Sequence, residues 1–117
     1  MTYTNAAKEA AALAVAALGN SISLHTADPG ITGASEVSGG SPAYARKTTT
    51  WAGGAVDGVV SGSPVVFDVP AGEYKWLGQW NGSTFIGGLK LASSTGALPG
   101  QQTVTVIPTI PVVDPTP

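Results

Sequence analysis

The chain has one histidine, His25, and no cysteine, and these two facts bound its chemistry. Without thiols there is no disulfide framework and no zinc-thiolate site. Any Ser–His–Asp reaction must use His25, with Ser21, Ser23 and Asp28 as its sequence neighbours. Serine hydrolases of the GxSxG type carry the nucleophile on a sharp strand-to-helix turn. Here Ser21, Ser23 and His25 alternate along one extended segment, SISLH, which puts them on one face of a strand. That pattern points to a hydrogen-bonded structural histidine, and no catalytic residue is assigned.

Asp28 and Glu36 share a loop and, with backbone carbonyls, could hold calcium. Their spacing is not that of an EF-hand, and the loop's glycines are explained by turns, so no metal ligands are assigned. No glycine-rich run has the GxGxxG or GxxxxGK[ST] form that cradles phosphate, so no cofactor is expected. Trp51, Trp76, Trp80, Tyr44 and Tyr74 could build an aromatic platform for sugar. Tyr74, Trp76 and Trp80 recur at period two on one strand, which favours a sandwich core. Trp80 is the residue through which an aromatic binding surface would act.

The elements that must position these groups follow from turn signals and periodicity. Residues 5–18 (NAAKEAAALAVAAL) are alanine-rich and predict a helix, capped by Thr4 or Asn5 and stopped by Gly19-Asn20. Its sides are apolar nearly all round after Glu9, which predicts burial against a sheet or another subunit. Residues 10–18 resemble a signal-peptide apolar region. Lys8 is offset at once by Glu9, however, and the helix leads into a core strand, which favours a mature helix. Strands are expected at 21–27 and 44–51, with Ile22 and Leu24 facing the core. Between them runs Asp28–Pro42, fifteen residues with four glycines and two prolines. A loop that long in a small domain is usually functional or involved in assembly.

Further strands are expected at 55–60 (a weak edge strand), 65–69, 73–80, 84–91 and 101–107. Asn81-Gly82 is the strongest hairpin signal, and Gly87-Gly88 marks a bulge or a close backbone approach. About seven short strands predict an all-β fold, an antiparallel, jelly-roll-like β-sandwich with one N-terminal helix. Residues 1–107 form a single domain in this reading. Residues 108–117 (PTIPVVDPTP) form an extended proline-rich arm, unable to build a regular ladder, whose Ile110, Val112 and Val113 could lie on a neighbouring subunit.

Only 10% of the 117 residues are charged, and the net charge is −2. An ordinary soluble domain carries roughly a quarter. A surface of Gly, Ser, Thr and Ala suits a subunit packed against neighbours. The five basic residues form no stripe, which argues against nucleic acid. No apolar stretch reaches the length of a membrane span.

At SLHTADPG (Ser23–Gly30), TGASEVSGGSPAYARK (Thr32–Lys47) and FDVPAG (Phe67–Gly72), followed by WLGQW (Trp76–Trp80), the sequence resembles a family of small virion proteins. These belong to tailed double-stranded DNA phages, especially those infecting actinobacteria, and are described as minor tail, tail-fibre or head-associated proteins. The resemblance covers most of residues 5–92, and the proline-rich end departs from it. It implies a non-enzymatic structural subunit located on the virion. Its implied partners are further copies of itself, in a homo-oligomer such as a trimer, and other virion proteins of the tail or the major capsid. Within the same class stands a capsid decoration protein; a second class is a receptor module gripping host-surface glycan through Trp80. Contact surfaces are expected at Asp28 and Glu36 in the long loop and at Ile110, Val112 and Val113 in the arm.

Overall fold

The computed structural model describes residues 3–91 and 93–111. Among these residues one helix, α1 (Asn5–Ala16), precedes nine short strands. These are β1 (Ser21–His25), β2 (Lys47–Thr48), β3 (Trp51–Ala52), β4 (Val59–Gly62), β5 (Val65–Val69), β6 (Trp76–Asn81), β7 (Thr84–Lys90), β8 (Gln102–Val106) and β9 (Thr109–Pro111). They form three sheets in the orders β2-β1-β6-β7, β3-β4-β9 and β5-β8, with every pairing antiparallel. The fold is mostly β with one helix, compatible with a β-sandwich. Among the described residues no helix is long and apolar enough to cross a membrane.

The main core lies between β5 and the four-stranded sheet. Ile22, Leu24 and Leu77 meet Val65, Phe67 and Val69, with Val37 and Tyr74 completing the cluster. This is the face expected for Ile22 and Leu24, because alternate residues of a strand point the same way. A second cluster joins Ala12 and Ala16 of α1 to Val60 of β4 and Ile110 of β9. Trp51 and Leu89 touch both clusters.

Thr4 caps the helix, its hydroxyl accepting the Ala7 N–H at 3.1 Å. The helix is not buried all round. Only the stripe Glu9, Ala12 and Ala16 is covered, while Leu13 and Leu18 are exposed. Spacings of three and seven residues put that stripe on one face, and its small side chains limit how far the sheet wraps the cylinder. Glu9 belongs to the stripe because its carboxylate accepts the Asp57 and Gly58 N–H groups at 3.3 and 3.1 Å. The helix is thereby tied to the turn before β4. The other end is held by Gln79, whose amide donates to the Val15 and Gly19 carbonyls at 2.8 and 2.9 Å, and by the Trp51 indole N–H on Gly19. Gly19 lies just past the helix, and the Val15 carbonyl, which already accepts the Leu18 N–H, gains a second donor from Gln79.

Three expectations are corrected here. The strand expected at 44–51 splits in two, β2 pairing with β1 and β3 with β4. The chain changes sheet at Thr49, which is buried and donates its hydroxyl to the Ser63 carbonyl at 2.8 Å. The weak edge strand expected at 55–60 begins only at Val59 and is central, lying between β3 and β9. Asp57 accepts the Val59 N–H and Gly58 has φ +81°, so the residues before Val59 make a turn. Finally, Thr109–Pro111 do form a ladder, pairing with Ser61–Val59. Pro111 is tolerated because β9 is an edge strand. Ile110 is buried within its own chain and is therefore not a free contact residue. Val112 and Val113 lie outside the described residues.

Candidate functional site

β1 is buried on both faces, which a sandwich strand normally is not. Its second face carries Ser23 and His25, and the segment after β1 folds back over it. β2 reaches only Ser21 and Ile22, so the edge of β1 beyond Ile22 needs other partners. The Tyr44 hydroxyl accepts the Leu24 N–H at 2.9 Å, the Val37 N–H donates to the Leu24 carbonyl at 2.9 Å, and Glu36 bridges His25. The long loop is thus a cover for this edge and face, ordered by its own backbone.

Under the cover lies a chain of three hydrogen bonds. The His25 Nδ1 lies 2.7 Å from the Ala34 carbonyl oxygen. A carbonyl only accepts, so Nδ1 carries the hydrogen. Nε2 is then the acceptor for the Ser23 hydroxyl at 2.6 Å. Ser23 Oγ in turn accepts the Trp80 indole N–H at 2.7 Å. Ser23 and His25 are both fully buried. Burial, the largest influence, holds the imidazole below its ordinary value of 6.5. The Ala34 carbonyl and the Glu36 charge oppose this, and the Arg46 charge adds to it.

Gly78 makes the arrangement possible. It pairs with Ser23 across β1 and β6, and a Cβ there would strike Ser23 Oγ and come within 2.7 Å of His25 Nε2 and 3.1 Å of Trp80 Nε1. Gly33, at φ +79°, performs the same service on the loop side: a Cβ there would lie 2.7 Å from the Trp80 ring.

A second layer closes the site. The Arg46 guanidinium sits 3.6 Å from the centroid of the Trp80 ring, while Phe85 packs edge-on at 5.0 Å. Arg46 grips Glu36 with Nε on Oε2 and Nη2 on Oε1, both at 2.9 Å, a planar fork on a carboxylate. Tyr44 donates its hydroxyl to Glu36 Oε2 at 2.9 Å and stacks on Phe67. Burial alone would raise the Glu36 carboxyl, but the hydrogen bonds from Arg46 and Tyr44 outweigh it and hold the group below 4.5. Burial pushes the Tyr44 phenol up.

A hydroxyl 2.6 Å from an imidazole is the geometry of an activated nucleophile. In this setting it has no approach from solvent, the serine oxygen already serves the indole, and the third partner is a carbonyl where a triad has a carboxylate. What the arrangement does is fasten the loop to the sheet.

The residues singled out in the sequence are placed as follows. Trp80 is only 8% exposed and roofed by Arg46, so it presents no open aromatic surface. Asp28 is exposed and accepts the Gly30 N–H at 2.9 Å, closing its own turn. Glu36 is spent on Arg46 and Tyr44. Asp28 and Glu36 do not build a cation cage, and no group of three or more His, Asp or Glu side chains lies together among the described residues. Gly88 shows the close approach expected at Gly87-Gly88, facing Pro29, and the expected bulge lies beside it: the register shift opposite Gln79/Trp80 leaves Ile86, next to Gly87, unpaired on β7. Sequence reasoning missed Arg46, Gly78 and Gln79. Arg46 and Glu36 stand in the same loop-and-strand stretch, which was the one usable signal; Gly78 and Gln79 act across pairings that no local spacing encodes.

No family model, curated protein or solved structure shows a significant match to the chain.

Proposed function

We propose that this protein is a non-enzymatic structural subunit of a tailed-phage virion, a minor tail or tail-fibre component acting by assembly and surface display. The observation that carries the reading is the direction in which its chemistry faces. His25, Ser23, Trp80 and the Glu36–Arg46 pair are spent internally, on holding the long loop down. The outside is low in charge and bears Ile31, Val56, Val66, Ile107, Leu13 and Leu18 as exposed large apolar side chains. A weakly charged surface bearing such groups leaves apolar area available to other protein surfaces. The resemblance of Ser23–Lys47 and Phe67–Gly72 to small phage virion proteins supplies the setting. In this reading the sheets make a jelly-roll-like sandwich.

A capsid decoration protein is the same proposal on a different part of the particle. The glycan-binding reading loses its motivation with Trp80 beneath Arg46. Quantitative mass spectrometry of purified particles tests the proposal. The protein should co-purify at a fixed copy number, low for a tail component and in the hundreds for a decoration. Its absence from particles would overturn the virion reading.

A further inference from the structure

The hydrogen bonds around His25 run in one direction only. Trp80 donates to Ser23, Ser23 to His25 Nε2, and His25 Nδ1 to Ala34. A second proton on the imidazole must go to Nε2, since Nδ1 already carries one. Nε2 would then present a donor to Ser23 Oγ, which still receives the indole N–H, and the serine's own hydrogen would lose its acceptor. The new charge would be fully buried. The charged and titratable groups facing it are Glu36 from the loop, Arg46 above the Trp80 ring, and the neutral Tyr44 phenol. Glu36 is already neutralised by Arg46, so it offers the imidazolium little compensation.

The segment fastened by this chain has one unfavourable backbone position and an exposed tip. Ser35, beside Ala34, is held at φ +64°, a left-handed conformation unfavourable for a residue with a Cβ. Ile31 at the tip is 95% exposed and holds nothing down. The other fastenings include the Thr26 N–H and hydroxyl on the Ser35 carbonyl, Gly33 lying on the Trp80 ring, and the buried Pro29 packed at Gly88. Val37 anchors the far end in the main core.

We propose that His25 is an acid-sensitive latch: one proton taken up from solvent at Nε2 breaks the Trp80–Ser23–His25–Ala34 chain and lets the flap from Asp28 to Ser35 swing off the sheet, exposing Trp80 and Phe85. The depressed protonation of His25 is consistent with this, because the closed state excludes the proton that the open state accepts. The latch does not depend on the virion reading. It would let an acidified environment uncover an aromatic face that is shut at neutral pH.

Native-state hydrogen exchange on the intact protein, read by NMR between about pH 7.5 and pH 5, tests the latch. This window keeps Glu36 ionised, so His25 is the titrating group within the network. The expected result, after correction for intrinsic exchange, is a flap-opening constant that rises by up to about tenfold per pH unit below 6.5, the limit for one linked proton. The rise should appear in the Thr26 amide and the Trp80 indole N–H but not in the β5–β8 amides. The single histidine should show the Nδ1–H tautomer at neutral pH. His25→Gln should abolish the slope. If that variant fails to fold, the wild-type slope and tautomer decide alone. A pH-independent flap, a loss of protection spread evenly over all strands, or titration of His25 at its ordinary value with the flap closed would each overturn the proposal.

Discussion

Replacing Gly78 by alanine adds one methyl group, and the structure says where it goes. It meets Ser23 Oγ and lies 2.7 Å from His25 Nε2 and 3.1 Å from Trp80 Nε1. All three atoms belong to the buried hydrogen-bond chain, and all three side chains are packed in place. Overpacking of a tight interior typically costs about 1–3 kcal/mol. Displacing Ser23 also breaks its bonds to His25 and Trp80, at about 1 kcal/mol each. The expected destabilisation is therefore about 3–5 kcal/mol, a fall in Tm of about 15 °C for a chain of this size. Gly87→Ala is the control. It is a glycine of the neighbouring strand β7 with open space where the Cβ would go, so alanine there should leave stability within about 0.5 kcal/mol or raise it slightly. Urea and thermal unfolding of both variants, followed by tryptophan fluorescence and circular dichroism, make the comparison. Equal stabilities for Gly78→Ala and the wild type would refute the packing of β1 against β6 described above.

Trp80→Ala should lower stability by about 3–5 kcal/mol, as for other buried aromatics, measured by urea unfolding; a folded variant of wild-type stability would mean that the ring is not packed under Arg46. Arg46→Ala leaves Glu36 without its ion-pair partner and Trp80 without its roof, and should cost about 2 kcal/mol while red-shifting tryptophan emission. Glu9→Ala removes the acceptor for two N–H groups at the β4 turn and should cost about 2 kcal/mol, detectable as a lower urea midpoint. Stability should fall on the acid side in two steps. His25, held below 6.5, favours the folded state fully above 6.5, and that advantage shrinks as pH drops toward the lowered value. Glu36, held below 4.5, contributes fully above 4.5, and its contribution is lost as pH falls through its own lowered value. Urea midpoints from about pH 3 to pH 8 should show both steps in the wild type and only the lower one in His25→Gln.

What the sequence revealed, and what it concealed, divides by range. Val65–Val69 alternates and is bounded by Pro64 and Pro70, so its limits were legible to the residue. The hairpin signalled by Asn81-Gly82 was legible for the same local reason, although its two-residue turn is Gly82-Ser83, with Gly82 at φ +59° and Asn81 pairing with Thr84. The shared face of Ser23 and His25 followed from period two. By contrast, Thr49 switches the chain between sheets for a reason that lies at Ser63, and Ile110 is buried because Val60 stands opposite it. Trp80 read as core or platform, and is neither quite. It lies on the far face of the sheet from the main core, buried because the loop and Arg46 cover it. The loop's polarity concealed its role, since its binding to the sheet runs through Ala34, Ser35 and Val37 backbone atoms that any sequence would supply.

The claim that this is a virion subunit is tested most directly by labelling intact particles with gold-conjugated antibody and locating the gold by electron microscopy. The account predicts label on tails, at the tip or along fibres; label on heads would move the same structural role to the capsid. Particles that carry no label on either part, from a lysate in which the protein is abundant, would contradict it.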